Sequence, residues 1–278
     1  MDRPFEKVSI EQVKDFWNKR PCNIRHSTSE VGTREYFDQV EKRKYFVEPH
    51  IPGFAQFDNW RGKRVLEIGC GIGTDTINFA RAGAEVTAVD VSEKSLSLAK
   101  QRVKVYGLSS KVKFYNANAE ALSATVPAIA YDLIYSFGVI HHTPHPGKVI
   151  EQIRENYVKP GSKLKIMVYN RYSWKVLWVL LAFGKGAVWN LDEIIASHSE
   201  AQTGCPVTYT YNKRGVVELL NGFRINNLRK EHIFPYRISD YIQYKYNKVW
   251  YFRYLPRSIF HLLERLFGWH LCVTAEAT

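Results

Sequence analysis

The sequence predicts an α/β fold, a doubly wound and mostly parallel sheet with helices on both faces. Three observations carry that expectation. Apolar strand-like runs alternate with helical stripes from Lys63 to Tyr169, the pattern of strand–helix–strand units. The stretch Val65-Leu66-Glu67-Ile68-Gly69-Cys70-Gly71-Ile72-Gly73-Thr74-Asp75 sets three glycines, at every second position, between a strand and a helix. Seventeen residues beyond Gly73, the strand Glu85-Val86-Thr87-Ala88-Val89-Asp90 ends in an acid.

The elements follow in order. Residues 1–60 precede the first sheet strand. Within them, 10–17 is helix-like, with Val13, Phe16 and Trp17 at helical spacing, and 33–47 is a charged helix interleaved with Tyr36, Phe37, Val40 and Tyr45. These segments read as a cap over a cleft. Strand one is 63–68. Its helix spans 74–82 and is closed by Gly83. Strand two is 85–90. Ser92 is a good N-cap for a helix carrying Leu96, Ala99, Val103 and Tyr106, and Gly107 stops it. Strands three, four and five fall at 111–115, 132–136 and 163–169. Val149, Ile150, Ile153 and Tyr157 form the helix stripe before strand five, and Pro160-Gly161 supplies a turn. Beyond residue 170 the pattern changes. Aromatics, an apolar run and a polar stretch around 198–204 suggest an inserted lid at 171–213. Residues 213–220 look helical, 225–233 form a sixth strand, Pro256 opens an amphipathic helix that Gly268 ends, and 269–274 form a seventh strand. The expected organisation is a helical cap at 1–60, a core at 61–170, and lid insertions with C-terminal strands of the same domain at 171–278.

Composition narrows the function. The 278 residues suit one α/β domain or two small ones, and 45% hydrophobic content suits a globular core. The four cysteines are scattered, without a C-x-x-C pair. That argues against a cysteine zinc site or a disulfide framework and fits a reducing cytoplasm. The polar N-terminus reads as no signal peptide. The longest apolar run, 176–183, is shorter than the ~18 residues of a membrane span. A net charge of +12 suits an anionic substrate, a membrane surface, nucleic acid or simply a basic surface.

The glycines let a ligand lie against the backbone, where a Cβ would collide with it. Asp90, at the tip of the next strand, is placed to accept the hydroxyls of a ribose. The dinucleotide fingerprint G-x-G-x-x-G is not met, because Thr74 stands at its third glycine. Glu67, just before the loop, would repel a pyrophosphate and favour a cation. The E-x-G-x-G-x-G pattern resembles motif I of the class I S-adenosylmethionine-dependent methyltransferases, of the small-molecule, methyltransferase type 11-like kind. Asp90, the block 116–120, the block 131–136 and the block 158–162 continue the resemblance, which covers residues 60–170.

The resemblance implies a Rossmann-like seven-stranded sheet whose last strand inserts antiparallel beside the fifth. It implies S-adenosyl-L-methionine as cofactor, S-adenosyl-L-homocysteine as product, and no metal. The cofactor residues it implies are Glu67, Gly69, Cys70, Gly71, Gly73, Asp90, Val91, Asn118, Ala119, Glu120, Ser136 and Phe137. Asn118 stands where the family usually has an aspartate, so a charge-assisted bond to the adenine amine is lost. A hydroxyl or amine acceptor needs its proton removed, and the block 137–145 leaves strand four toward the methyl. His141 matches the histidine of the phosphoethanolamine-type and quinone-type enzymes. His142 and, from the cap, Tyr36 are further catalytic candidates, and a packing role for the histidine pair stays open.

For the acceptor site, Tyr45, Tyr169, Arg171 and Lys175 are candidates, the two cations as holders of a carboxylate or phosphate. Ser136-Phe137-Gly138-Val139 lacks the N/D-P-P-Y/F block of enzymes that methylate base amines, and no RNA-binding motif is appended. A small anionic or amphiphilic metabolite, methylated on O or N, is the expected acceptor, with no sequence-specific nucleic acid. Between Lys213 and Arg265, eleven Lys or Arg face four Asp or Glu amid aromatics, so peripheral membrane contact is open beside simple packing. An RNA or protein methyltransferase and a non-catalytic cofactor-binding protein are the alternatives.

Overall fold

The computed structural model describes residues 4–184, 188–202 and 204–278. The first three residues of the expected cap, and 185–187 and 203 of the expected lid, lie outside the described residues.

Five parallel strands form the heart of the molecule. They are β1 (Arg64–Ile68), β2 (Glu85–Asp90), β3 (Val112–Asn116), β4 (Leu133–Phe137) and β5 (Lys163–Asn170). Three more complete one eight-stranded sheet: β6 (Thr210–Tyr211), β7 (Phe223–Glu231) and β8 (His270–Ala277). The spatial order is β3-β2-β1-β4-β5-β8-β7, and β6 pairs beside the end of β5. β8 runs antiparallel to both β5 and β7. The antiparallel insertion beside β5 is therefore as expected. The expected count of seven strands is corrected to eight, because two residues of the lid, Thr210 and Tyr211, pair in parallel with Tyr169 and Asn170. The sixth expected strand begins two residues earlier than the alternation indicates, and it carries a register shift between Ile225 and Asn227.

The helices are α1 (Ile10–Lys19), α2 (Arg34–Val47), α3 (His50–Ala55), α4 (Thr74–Arg81), α5 (Glu93–Val105), α6 (Pro146–Asn156), α7 (Trp174–Phe183), α8 (Leu191–Gln202), α9 (Lys213–Leu219), α10 (Ile238–Ile242), α11 (Trp250–Arg253) and α12 (Arg257–Phe267). Local chemistry sets their starts. Ser9 and Gln12 form a reciprocal capping box at α1, Ser92 caps α5 through the Ser95 amide, and Pro146 opens α6. Side-chain alternation splits the sheet into two cores. Val65, Val86 and Leu133 pack with Ile77, Phe79, Leu96 and Ala99 on one face. Leu66, Ile134 and Ile166 pack with Val149, Ile150, Ile153 and Val216 on the other. Strand order reverses between β1 and β4, and the crevice at such a switch point, beyond the carboxyl ends of the strands, is where open α/β sheets bind ligands. No helix among the described residues is long and apolar enough to cross a membrane.

Candidate active site

A cavity of about 270 Å³ opens at that switch point. Its floor is the glycine loop after β1. Gly69, Gly71 and Gly73 have φ of +77°, +54° and +76°, in the left-handed region that favours glycine. The three serve different ends. A Cβ on Gly69 would lie 2.2 Å from Val139 Cγ2, so this glycine lets the loops after β1 and β4 touch. A Cβ on Gly73 would lie 3.1 Å from Ala99 Cβ, so this one packs α4 against α5. A Cβ on Gly71 would meet nothing within 4 Å, and Gly71 lines the cavity.

Asp90 faces Gly71 across the floor. Its Oδ2 accepts from the Gly71 amide and its Oδ1 from the Ser92 amide, both at 2.8 Å. Each oxygen keeps a lone pair for a ligand hydroxyl. Burial pushes the carboxyl up to about 6, opposed by the Ser92, Gly71 and Val91 amides. Ser92 also donates to Asn18 Oδ1 at 2.9 Å, which ties α1 to this loop.

Most expected cofactor residues meet here. Gly69, Cys70, Gly71, Asp90, Val91, Asn118, Ala119 and Phe137 line the cavity. The other four do not. Glu67 is buried behind the loop and accepts from Thr76 Oγ1. Burial, with the nearby Asp75, raises its carboxyl above the usual carboxylate range. Gly73 packs helices, Ser136 donates to the Ile68 carbonyl at 3.1 Å, and Glu120 accepts from the His145 amide at 2.8 Å. Asn118 lines the wall, but its Oδ1 already accepts from the Glu120 amide at 2.9 Å and caps the short turn at 119–124.

The expected catalytic residues separate. His142 lines the cavity. Its Nδ1 lies 2.7 Å from the Val207 carbonyl, which only accepts, so Nδ1 carries the hydrogen and Nε2 of the neutral ring carries the basic lone pair. His141 does not line the cavity and is fully buried between His142 and Tyr169, ring centroids 4.1 and 3.9 Å away. Neither of its nitrogens has a hydrogen-bond partner, and burial, with His142 and Lys175 nearby, lowers its pKa well below the usual range. Tyr36 is not brought to the cavity. It is fully buried and donates to the Ile24 carbonyl at 2.8 Å, because its face of α2 turns into a separate cluster with Phe37, Ile72 and Leu98.

Of the acceptor candidates, only Tyr169 lines the cavity. Tyr45 donates to Asp75 Oδ1 at 2.9 Å. Arg171 lies 3.3 Å from Asp192, lining a second, apolar hollow of about 700 Å³. Lys175 sits 4.5 Å from the centre of the Trp269 ring.

The sequence reasoning missed several wall residues. Ile10, Val13 and Trp17 come from α1, Lys44 from α2, and Glu48, Met167 and His270 complete the far end. Trp17 stands edge-on to His142, ring centroids 5.6 Å apart. Lys44 is held by Asp75, whose Oδ1 lies 2.8 Å from the ammonium and whose Oδ2 accepts from Tyr135 at 2.9 Å. Asp75 ends the glycine motif, so a buried acid there was the one available signal.

Residues 66–164 match the family model of a methyltransferase domain. Over that stretch the chain is similar to methyltransferase domains. The ubiquinone biosynthesis O-methyltransferase of Aromatoleum aromaticum is 36% identical to it over 110 residues, 40% of this chain and 45% of that protein. The Bordetella avium enzyme of the same name is 35% identical over 122 residues, 44% and 48% of the two chains. The chain thus spans about half the length of the curated relatives it matches. Among solved structures, magnesium protoporphyrin IX methyltransferase from Synechocystis with bound SAH superposes with a TM-score of 0.60 at 17% identity, over 97% of this chain and all of that one. That likeness shows that the shared fold extends beyond the matched stretch, over residues on both sides of 66–164.

Proposed function

We propose that this protein transfers a methyl group from S-adenosyl-L-methionine to an oxygen of a small amphiphilic acceptor, releasing S-adenosyl-L-homocysteine. One observation carries the reading. Asp90, with a lone pair left on each oxygen, and the open face of Gly71 share one cavity with a histidine, a tyrosine and a phenylalanine at its other end. The residues fit the cofactor: an acid for the ribose, bare backbone for the methionine part, and Asn118 and Ala119 for the adenine edge. When bound, it supplies a methyl group on a sulfonium, which needs positioning more than activation. The relatives named as O-methyltransferases support oxygen as the acceptor atom.

On this reading, Phe137 and Met167 mark the methyl-transfer point. His142 Nε2 would take the proton of the acceptor hydroxyl. His141 packs the loop and takes no part in the proton transfer. Residues 1–60 act as a cap and 171–278 as the lid and last strands of the same domain. The apolar hollow between α7, α11 and α12 suits the greasy part of an acceptor. Exposed Leu177, Leu181, Trp189, Leu262 and Leu266, amid the basic C-terminal third, support peripheral contact with an anionic lipid surface. The test is calorimetric titration with S-adenosylmethionine, S-adenosylhomocysteine and NADH, in wild type and Asp90→Ala. Binding of the first two that Asp90→Ala weakens is the expected result. A folded wild type that binds neither overturns the proposal.

A further inference from the structure

At the far end of the cavity, side chains from four separate segments converge. Glu48 follows α2, His50 opens α3, His232 follows β7 and His270 opens β8. The register pairs Glu231 with His270, which brings His232 to the same carboxyl edge of the sheet as the cavity. Glu48, His232 and His270 each turn a ligating atom to a common point, all within 4.8 Å of one another. His270 Nε2 lies 3.7 Å from Glu48 Oε1, and His270 Nδ1 lies 3.0 Å from His50 Nε2.

We propose that Glu48, His232 and His270 form a binding site for one first-row divalent metal ion of the Zn²⁺ class, opening onto the cavity. Two imidazoles and one carboxylate are the ligand set of open, rather than closed, zinc and iron sites. Two such ligands, each about 2.1 Å from a tetrahedral ion, stand about 3.4 Å apart. The 3.7 Å between His270 and Glu48 is close to that already, and side-chain rotation supplies the remainder at His232. His50 then plays the usual outer part, accepting the Nδ1 hydrogen of a ligand whose Nε2 faces the metal.

Two further observations agree. His232 has φ +70°, a left-handed backbone that costs a non-glycine residue about 1–2 kcal/mol and persists only where its surroundings enforce it. Lys44, the cation in the same wall, is neutralised by Asp75. Glu48 and His270 also line the cavity, beside Phe137 and Met167. The site itself does not rest on the methyl-transfer reading, since metal binding is read without cofactor or acceptor.

The experiment takes chelator-stripped full-length protein and titrates Zn²⁺ alone against a chromophoric chelator, then repeats with Co²⁺ to read its visible absorption. The expected result is about one equivalent bound. His232→Ala should weaken binding at least ~100-fold and His50→Ala ~10–100-fold, with circular dichroism and S-adenosylhomocysteine binding unchanged. Glu48→Gln, at a more open position, gives the same reading if His232→Ala does not fold. Wild type that binds Zn²⁺ no more tightly than these variants, or Co²⁺ that acquires no absorption from low-symmetry coordination, overturns the proposal.

Discussion

Gly71→Ala and Gly69→Ala, two residues apart in one loop, should fail in opposite ways. At Gly69 the added methyl would sit 2.2 Å from Val139 Cγ2 and 2.6 Å from Cγ1, at φ +77°. Val139 is β-branched and stiff, so the loop after β4 must move. Left-handed strain of about 1–2 kcal/mol and overpacking of about 1–3 kcal/mol sum to roughly 2–5 kcal/mol. For a chain of this size that lowers Tm by roughly 5–15 °C. At Gly71 the methyl would meet nothing within 4 Å, and φ +54° lies in the left-handed basin that L residues do reach. Its stability cost is about 1–2 kcal/mol. The methyl instead occupies the floor of the cavity, where ~1–3 kcal/mol of overpacking falls on the ligand, or about 10–100-fold in affinity. Thermal melts and calorimetric titration with S-adenosylhomocysteine separate the two. Gly71→Ala that binds as wild type, or Gly69→Ala that melts as wild type, refutes the division of labour.

Asp90 sets a pH dependence. With its carboxyl near 6, the charged form that accepts two hydroxyls is complete above about pH 7, and S-adenosylmethionine affinity should fall about tenfold per pH unit below about 6; a flat titration series from about pH 8 to about pH 5 contradicts the role. Asp75→Asn removes the partner of a largely buried Lys44 ammonium and should cost about 3–5 kcal/mol, seen as a Tm lowered by roughly 6–15 °C; an unchanged melt would show that the pair is not structural. His141→Phe removes two buried nitrogens without partners, each costing about 1–3 kcal/mol, so the melt should hold or rise and turnover persist. His142→Phe should lower turnover by about 10²–10⁴-fold with cofactor binding kept, and the reverse pattern, an inactive His141→Phe, would exchange the two assignments.

The cofactor end was legible because it is local. One strand–loop–helix–strand unit supplies Gly69, Gly71 and Asp90, and the left-handed turns need glycine whatever the distant chain does. What failed there failed through direction. Glu67 and Ser136 sit on strands whose side chains alternate, and both turn into the sheet's interior faces rather than its end. The histidine pair was legible as a loop but not as a pair of roles. The two rings pack together in the short helical turn 140–142, centroids 4.1 Å apart, and only His142 is also held by the Val207 carbonyl and Trp17 at the cavity. Tyr36 and Tyr45 lie on one helix with similar spacing patterns, yet neither faces the cavity, since Ile24 and Asp75 claim their hydroxyls. Glu48, His232 and His270 share no motif at all. They meet only because β8 inserts between β5 and β7, a long-range pairing that carries no short-range signal.

That contrast explains how such a site divides its chemistry. On the proposed reading, cofactor recognition rests mainly on backbone amides and bare glycine, which a single local unit fixes and which tolerate change elsewhere. On the same reading, acceptor recognition rests on the side chains of Trp17, His142, Tyr169 and His270, each delivered by a different element. Replacing any one of them leaves the glycine turns of the strand–loop–strand unit in place, because those turns are set by the backbone at Gly69, Gly71 and Gly73. The far wall is thus the part of this fold that can change its acceptor without changing its cofactor.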